Sequence, residues 1–150
     1  MAGGLLSLFN DIELHLNDII VVAMARPRRT DAAERLSIVI DRVRADLARP
    51  WTVTDMASLL GVTGGQLRRL LADEGHPPPR RLLAELRLSA AAALLCDPGV
   101  RVKEVAARIG IADGSHFCRE FKRRYGLSPL AFQSESIVNA ALERNARAHQ

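Results

Sequence analysis

Residues 53–62, VTDMASLLGV, and residues 102–111, VKEVAARIGI, decide the fold, because they are two copies of one pattern. Val53, Met56, Ala57, Leu60, Gly61 and Val62 align with Val102, Val105, Ala106, Ile109, Gly110 and Ile111 at a single offset. Two copies separated by long dissimilar sequence do not make a solenoid. Within each copy the aliphatic positions recur at helical spacing. An Ala four residues before a Gly lets a second helix pack close, and the Gly supplies positive φ for a tight turn. Each copy therefore reads as the first helix and turn of a helix-turn-helix.

The flanking sequence completes both units. Thr52 with Asp55, and Thr63 with Gln66, have the spacing of capping boxes. The helix after Thr63 points Leu67, Leu70 and Leu71 inward and ends near Gly75. In the second copy Asp113 is an N-cap, with Phe117 and Phe121 inward and Tyr125 just before Gly126. The units are thus predicted at about 52–75 and 101–126. Pro77, Pro78 and Pro79 break the chain between them, and a strong helix is predicted over 79–95, before the turn Asp97, Pro98, Gly99. Such a helix is ~25 Å long, which with one helix width puts the units ~34 Å apart, close to one turn of B-DNA. Ser128 and Pro129 open a last helix that continues through Ala131, Ile137 and Leu142. Upstream, Leu5, Phe9, Ile12, Leu16 and Ile19 or Ile20 predict an N-terminal helix over 5–24, and a basic interruption with Pro27 follows. A second helix is predicted over 31–47, with Leu36, Ile40, Val43 and Leu47 on one face and Pro50 ending it. Trp51, the only tryptophan, is expected to plug the core.

Composition agrees with an all-α protein. The 150 residues are 48% hydrophobic and 25% charged, but only 4% are aromatic, and Ala, Leu and Arg favour helix over sheet. Net charge is +4, yet residues 1–25 contain Asp11, Glu13 and Asp18 and no Lys or Arg, so all 21 basic residues lie in the remainder. That part has the balance of a polyanion binder. Cys96 and Cys118 have no metal-ligand or redox spacing, and a reduced cytoplasmic protein is the expectation, with Cys118 serving as packing. There is no signal-peptide n-region and no apolar run long enough to span a bilayer, so no membrane association is expected.

Residues 110–126, GIADGSHFCREFKRRYG, with Leu127, Ser128, Pro129 and Phe132 after them, resemble the signature of the AraC/XylS regulators, GF-x-D-x-S-x-F-x-R-x-FK-x-x-x-G-x-SP. Asp113, Ser115, Phe117, Arg119, Phe121, Lys122, Gly126, Ser128 and Pro129 carry that likeness. Arg87, Leu88, Ala91, Leu94 and Leu95 are similar to the family's linker helix, and residues 53–71 to its first unit. The departures are Ile111 for Phe, Gln133 for Arg and Leu71 for Phe, a Gly75 one place off, and Gly64 and Gly65 where a base-reading side chain is common. The resemblance implies two homeodomain-like helix-turn-helix subdomains joined by a linker helix, with the extra N-terminal helix before them. It also implies a structural role for Arg87 between the units. The expected division is an N-terminal segment, 1–30, and a DNA-binding domain, 31–150. The segment is a dimerisation element or a remnant of the sensory domain that family members carry there, and the chain is expected to be a fragment of a longer regulator rather than a short one.

The function implied is that of a sequence-specific double-stranded DNA-binding activator, with RNA polymerase as a partner and a homodimer through the N-terminal helix. Candidate base contacts are Gln66, Arg69, Ser115, His116 and Arg119; Arg69 and Arg119 each stand six residues after a cap and can pair with guanine O6 and N7. Candidate phosphate contacts are Thr63, Arg68, Lys122, Arg123 and Arg124. Most specificity is expected from the second unit. The alternative is a helical protein-interaction module, or a short regulator that modulates a full-length one. No enzyme is expected, since paired carboxylates, a nucleophile constellation and a phosphate-cradling loop are all missing from the sequence, and neither a cofactor nor a metal is called for.

Overall fold

The computed structural model describes residues 29–148, which form seven helices and, among the described residues, no strand. These are α1 (Arg29–Ala45), α2 (Val53–Ser58), α3 (Gly64–Asp73), α4 (Pro79–Leu95), α5 (Val102–Arg108), α6 (Gly114–Tyr125) and α7 (Pro129–Ala148). The helix expected over 5–24 lies outside the described residues. A unit boundary falls between Glu34 and Arg35, inside α1, and the part from Arg35 onward carries the packing that builds the site. Among the described residues no helix is long and apolar enough to cross a membrane.

The duplicated pattern folds twice in the same way. Ala57 and Ala106 are buried, and Gly61 and Gly110 take φ of +64° and +74°. Past each glycine the chain closes on the preceding helix with matching bonds: Val62 N–H donates to the Ala57 carbonyl at 3.1 Å, and Ile111 N–H to that of Ala106 at 3.0 Å. The second helix of each unit then buries two residues four apart, Leu67 with Leu71 and Phe117 with Phe121.

Two hydrophobic cores result, and α4 belongs to both. Leu82, Leu83 and Leu86, from its first half, join Leu36, Val39 and Val43 of α1, with Trp51, Met56 and Leu67. Leu88, Ala91 and Leu95, from its second half, join Val105, Ile109, Phe117 and Phe121. Leu36, Val39 and Val43 and Leu88, Ala91 and Leu95 have the same spacing of three and four, so α1 roofs the first core as the second half of α4 roofs the second. Phe117, Phe121, Tyr125 and Phe132 stack with ring centroids 4.6–5.7 Å apart. The first core has only Trp51 for comparison, and its indole N–H donates to the Asp46 carbonyl at 2.7 Å.

Two details differ from expectation. Helix α1 ends at Ala45 rather than Leu47, and its buried face is Leu36, Val39 and Val43, with Ile40 and Leu47 at the margin. The reason is that residues 46–49 turn away to present carbonyls to α4: Arg87 Nε donates to the Leu47 carbonyl at 3.1 Å and Nη2 to that of Arg49 at 3.0 Å. Arg87 holds the α1–α2 connection to the linker, as the resemblance implied, and its partial burial lowers its pKa. Gly110 abuts the same connection so closely that a Cβ there would lie 2.7 Å from the Leu47 carbonyl oxygen. Cys118, expected to pack, is exposed, because one residue past Phe117 a helix has turned about 100° off its buried face.

Candidate nucleic-acid interface

Helices α3 and α6 stand out as the polar, outward elements of the two units. Each is fixed at its N-terminus by a side-chain cap. In α3, Gln66 N–H donates to Thr63 Oγ1 at 3.3 Å while Gln66 Oε1 accepts from Thr63 N–H at 2.9 Å. In α6, the Asp113 carboxylate accepts from Ser115 N–H at 2.8 Å and His116 N–H at 3.1 Å. The backbone N–H of His116, then that of Ser115, holds the Asp113 carboxyl below the usual carboxylate range, and the nearby Arg119 charge adds to this. Thr52 and Asp55 cap α2 by the same reciprocal bonds.

Opposite the buried pairs, α3 exposes Gly65, Arg68, Arg69 and Ala72, and α6 exposes Ser115, His116, Arg119, Lys122, Arg123 and Arg124. These faces contain the candidate contacts read from the sequence except Thr63 and Gln66, which are exposed at the capped N-terminus of α3. They are not equally free. Thr63 and Gln66 are engaged with each other, so Gln66 has its amide nitrogen, but not its oxygen, available as it stands. Arg123 is ion-paired with Glu120 on the same helix. Arg124 lies over the Tyr125 ring, 5.7 Å from its centroid. Arg69, Arg119 and Lys122 have no ion pair among the described residues. Gly64 has a packing reason to be glycine, since a Cβ would sit 3.2 Å from Val53 Cγ1, whereas at Gly65 it would meet only Thr63 Oγ1, at an ordinary contact distance of 3.9 Å.

Two residues were missed in sequence. Gln133 is buried, and its Nε2 donates to the carbonyls of Val100 at 2.8 Å and Asp97 at 3.2 Å, tying α7 to the turn before α5. Arg80, in the first turn of α4, is exposed and borders the clefts on both sides of that helix. The i+4 pattern was the available signal: Arg81 has Glu85 four residues on, and Arg80 has Ala84. Among the described residues no group of three His, Cys, Asp or Glu side chains could hold a metal.

Residues 56–135 match the family model described as a helix-turn-helix domain. The chain is 33% identical over 101 residues to the HTH-type transcriptional activator CfaD of Escherichia coli, covering 65% of this chain and 38% of CfaD. It spans well under half the length of such relatives. A DNA-binding transcriptional dual regulator from Escherichia coli K-12 superposes with a TM-score of 0.62 at 27% identity, covering 75% of this chain and 95% of that one. The DNA-binding domain of AdpA, solved in complex with a target DNA, superposes with a TM-score of 0.63 at 24% identity over 69% of this chain and 94% of that one. Tandem helix-turn-helix units on two cores, a matching family model and regulators among the relatives lead to one conclusion: the chain belongs to the AraC-type helix-turn-helix family.

Proposed function

We propose that this protein is a sequence-specific double-stranded DNA-binding transcription activator whose α3 and α6 enter two successive major-groove segments of one site. The observation that carries the reading is the pair of capped helices, each with a cationic outer face, held by one shared linker helix. Residues 31–150 form the DNA-binding domain in this reading, and residues 1–30 a separate segment that mediates homodimerisation. Cytoplasmic location and RNA polymerase as the downstream partner follow from the same role, and no catalysis is involved.

Arg119 and Arg69 read bases through paired hydrogen bonds, with Ser115, His116 and the Gln66 amide beside them. Thr63, Arg68, Lys122, Arg123 and Arg124 meet phosphates, which set register without specifying sequence. Glu120 draws charge from Arg123, so Lys122 and Arg124 carry more of the backbone attraction. The bare Gly65 makes the second unit the main reader.

Duplexes selected by the protein from a random pool provide the test. Arg119→Ala lowers affinity for the selected duplex and brings it within a few-fold of random DNA, a loss of about 1–3 kcal/mol in discrimination. Arg124→Ala weakens selected and random duplexes alike. Fluorescence anisotropy at several salt concentrations separates the two. The rival reading, a helical module whose basic face pairs with an acidic protein, predicts that no sequence is enriched and that selected and random duplexes bind equally.

A further inference from the structure

Arg80 is an unpaired cation that borders both units. On one side it lines a cleft with Trp51, Thr52, Thr54 and Arg68 of the first unit. On the other it lines a cleft with His116 and Glu120 of the second. The remaining charges of the second cleft are committed: Glu120 is paired with Arg123, and Arg87 is bound to the Leu47 and Arg49 carbonyls. Arg80 itself has no ion pair or hydrogen bond among the described residues, although its neighbour Arg81 pairs with Glu85 at 3.1 Å.

Its setting is also unfavourable for a cation with no ligand. Arg80 follows the N1 proline of a 17-residue helix that has no acid in its first turn, so its charge faces the positive end of the helix dipole uncompensated. The anchor beneath it is firm: Pro79 is fully buried, and Leu82 and Leu83 pack in the first core. An exposed, unpaired cation on a firmly anchored turn thus shares one cleft with Arg68 of α3 and another with His116 of α6, where an approaching polyanion supplies the missing negative charge.

We infer that Arg80 is a third, central anchor, contacting a DNA phosphate in the stretch between the two segments faced by α3 and α6. The inference rests on the DNA-binding reading above. Each neutralised phosphate contributes about 0.9 to the slope of log affinity against log salt. The protein, Arg80→Ala, Arg80→Lys and Arg81→Ala are therefore titrated with a duplex selected by the unaltered protein, and phosphate-ethylation interference is mapped on the same duplex. Arg80→Ala reduces the slope by about 0.9, so that the affinity lost between 50 and 200 mM salt shrinks by about threefold. Interference disappears at a phosphate between the two segments. Arg80→Lys keeps the slope, Arg81→Ala leaves slope and footprint unchanged, and all variants unfold at the same temperature. If Arg80→Ala binds with the original slope and footprint, the anchor is refuted while the DNA-binding reading stands. If the unaltered protein selects no duplex, both fall.

Discussion

Asp113 shows how much one side chain settles. It is the N-cap of α6, it accepts two backbone N–H groups, and these bonds lower its pKa below the usual value of 3.8. A depressed folded pKa means stabilisation that is complete above the unfolded value and lost as pH falls through the folded one. Asparagine caps about as well but does not titrate there. Asp113→Asn is therefore expected to melt below the natural protein at neutral pH, with the gap closing once pH drops under 3.8, as followed by circular dichroism. A gap that stayed constant with pH would remove the charge from the explanation. The caps were legible in the sequence because Thr52, Thr63 and Asp113 act on residues two or three positions away, within one turn. Arg80 was missed although position 84 holds Ala and no acid, because its setting between two clefts depends on the packing of α4 against both units.

Between elements, the two duplicated turns are alike in backbone and unlike in surroundings. Gly61 needs positive φ and nothing else, since a Cβ there meets no atom within 4 Å. Gly110 needs positive φ and also room for the Leu47 and Ala48 carbonyl oxygens, 2.7 and 2.8 Å from where its Cβ would stand. Gly61→Ala is expected to cost about 1–2 kcal/mol, the left-handed penalty alone. Gly110→Ala is expected to cost clearly more, because the α1–α2 connection and its bonds to Arg87 must also shift. Urea denaturation of both variants measures the difference, and equal losses would show that the contact carries no energy. The repeat itself was evident from spacing. The difference between its copies was not, because Gly110 and Arg87 meet residues near 47 across some forty or more positions of chain, a separation at which periodicity holds no information. Gln133 escaped for the same reason, its partners lying 33 and 36 residues away.

For the molecule as a whole, the proposed DNA-binding role makes the linker the element that sets the geometry of recognition. A helix of 17 residues bound into both cores has one length and no hinge. Spacing between the two base-read segments should accordingly be strict. Inserting about half a helical turn of DNA between them turns one segment off the bound face, and inserting a full turn restores the face but not the distance. Both insertions are expected to reduce binding of a selected duplex to the level of a single unit, which gel-shift titration reads directly. Recovery at a full turn would mean that the units move independently. Helical class, the boundaries of α4 and the outer faces of α3 and α6 were all open to sequence reading, since each depends on local pattern.

The double membership of α4 also bears on how the protein comes apart and what it can afford to lose. Neither core can be opened without stripping apolar cover from the helix that closes the other, so unfolding is expected to run as one cooperative transition rather than unit by unit. In the proposed reading the first unit, bare at Gly65, still serves as the footing of the second. On that reading its outer face is expected to tolerate substitution, while deletion of the unit is expected to unfold the second unit as well.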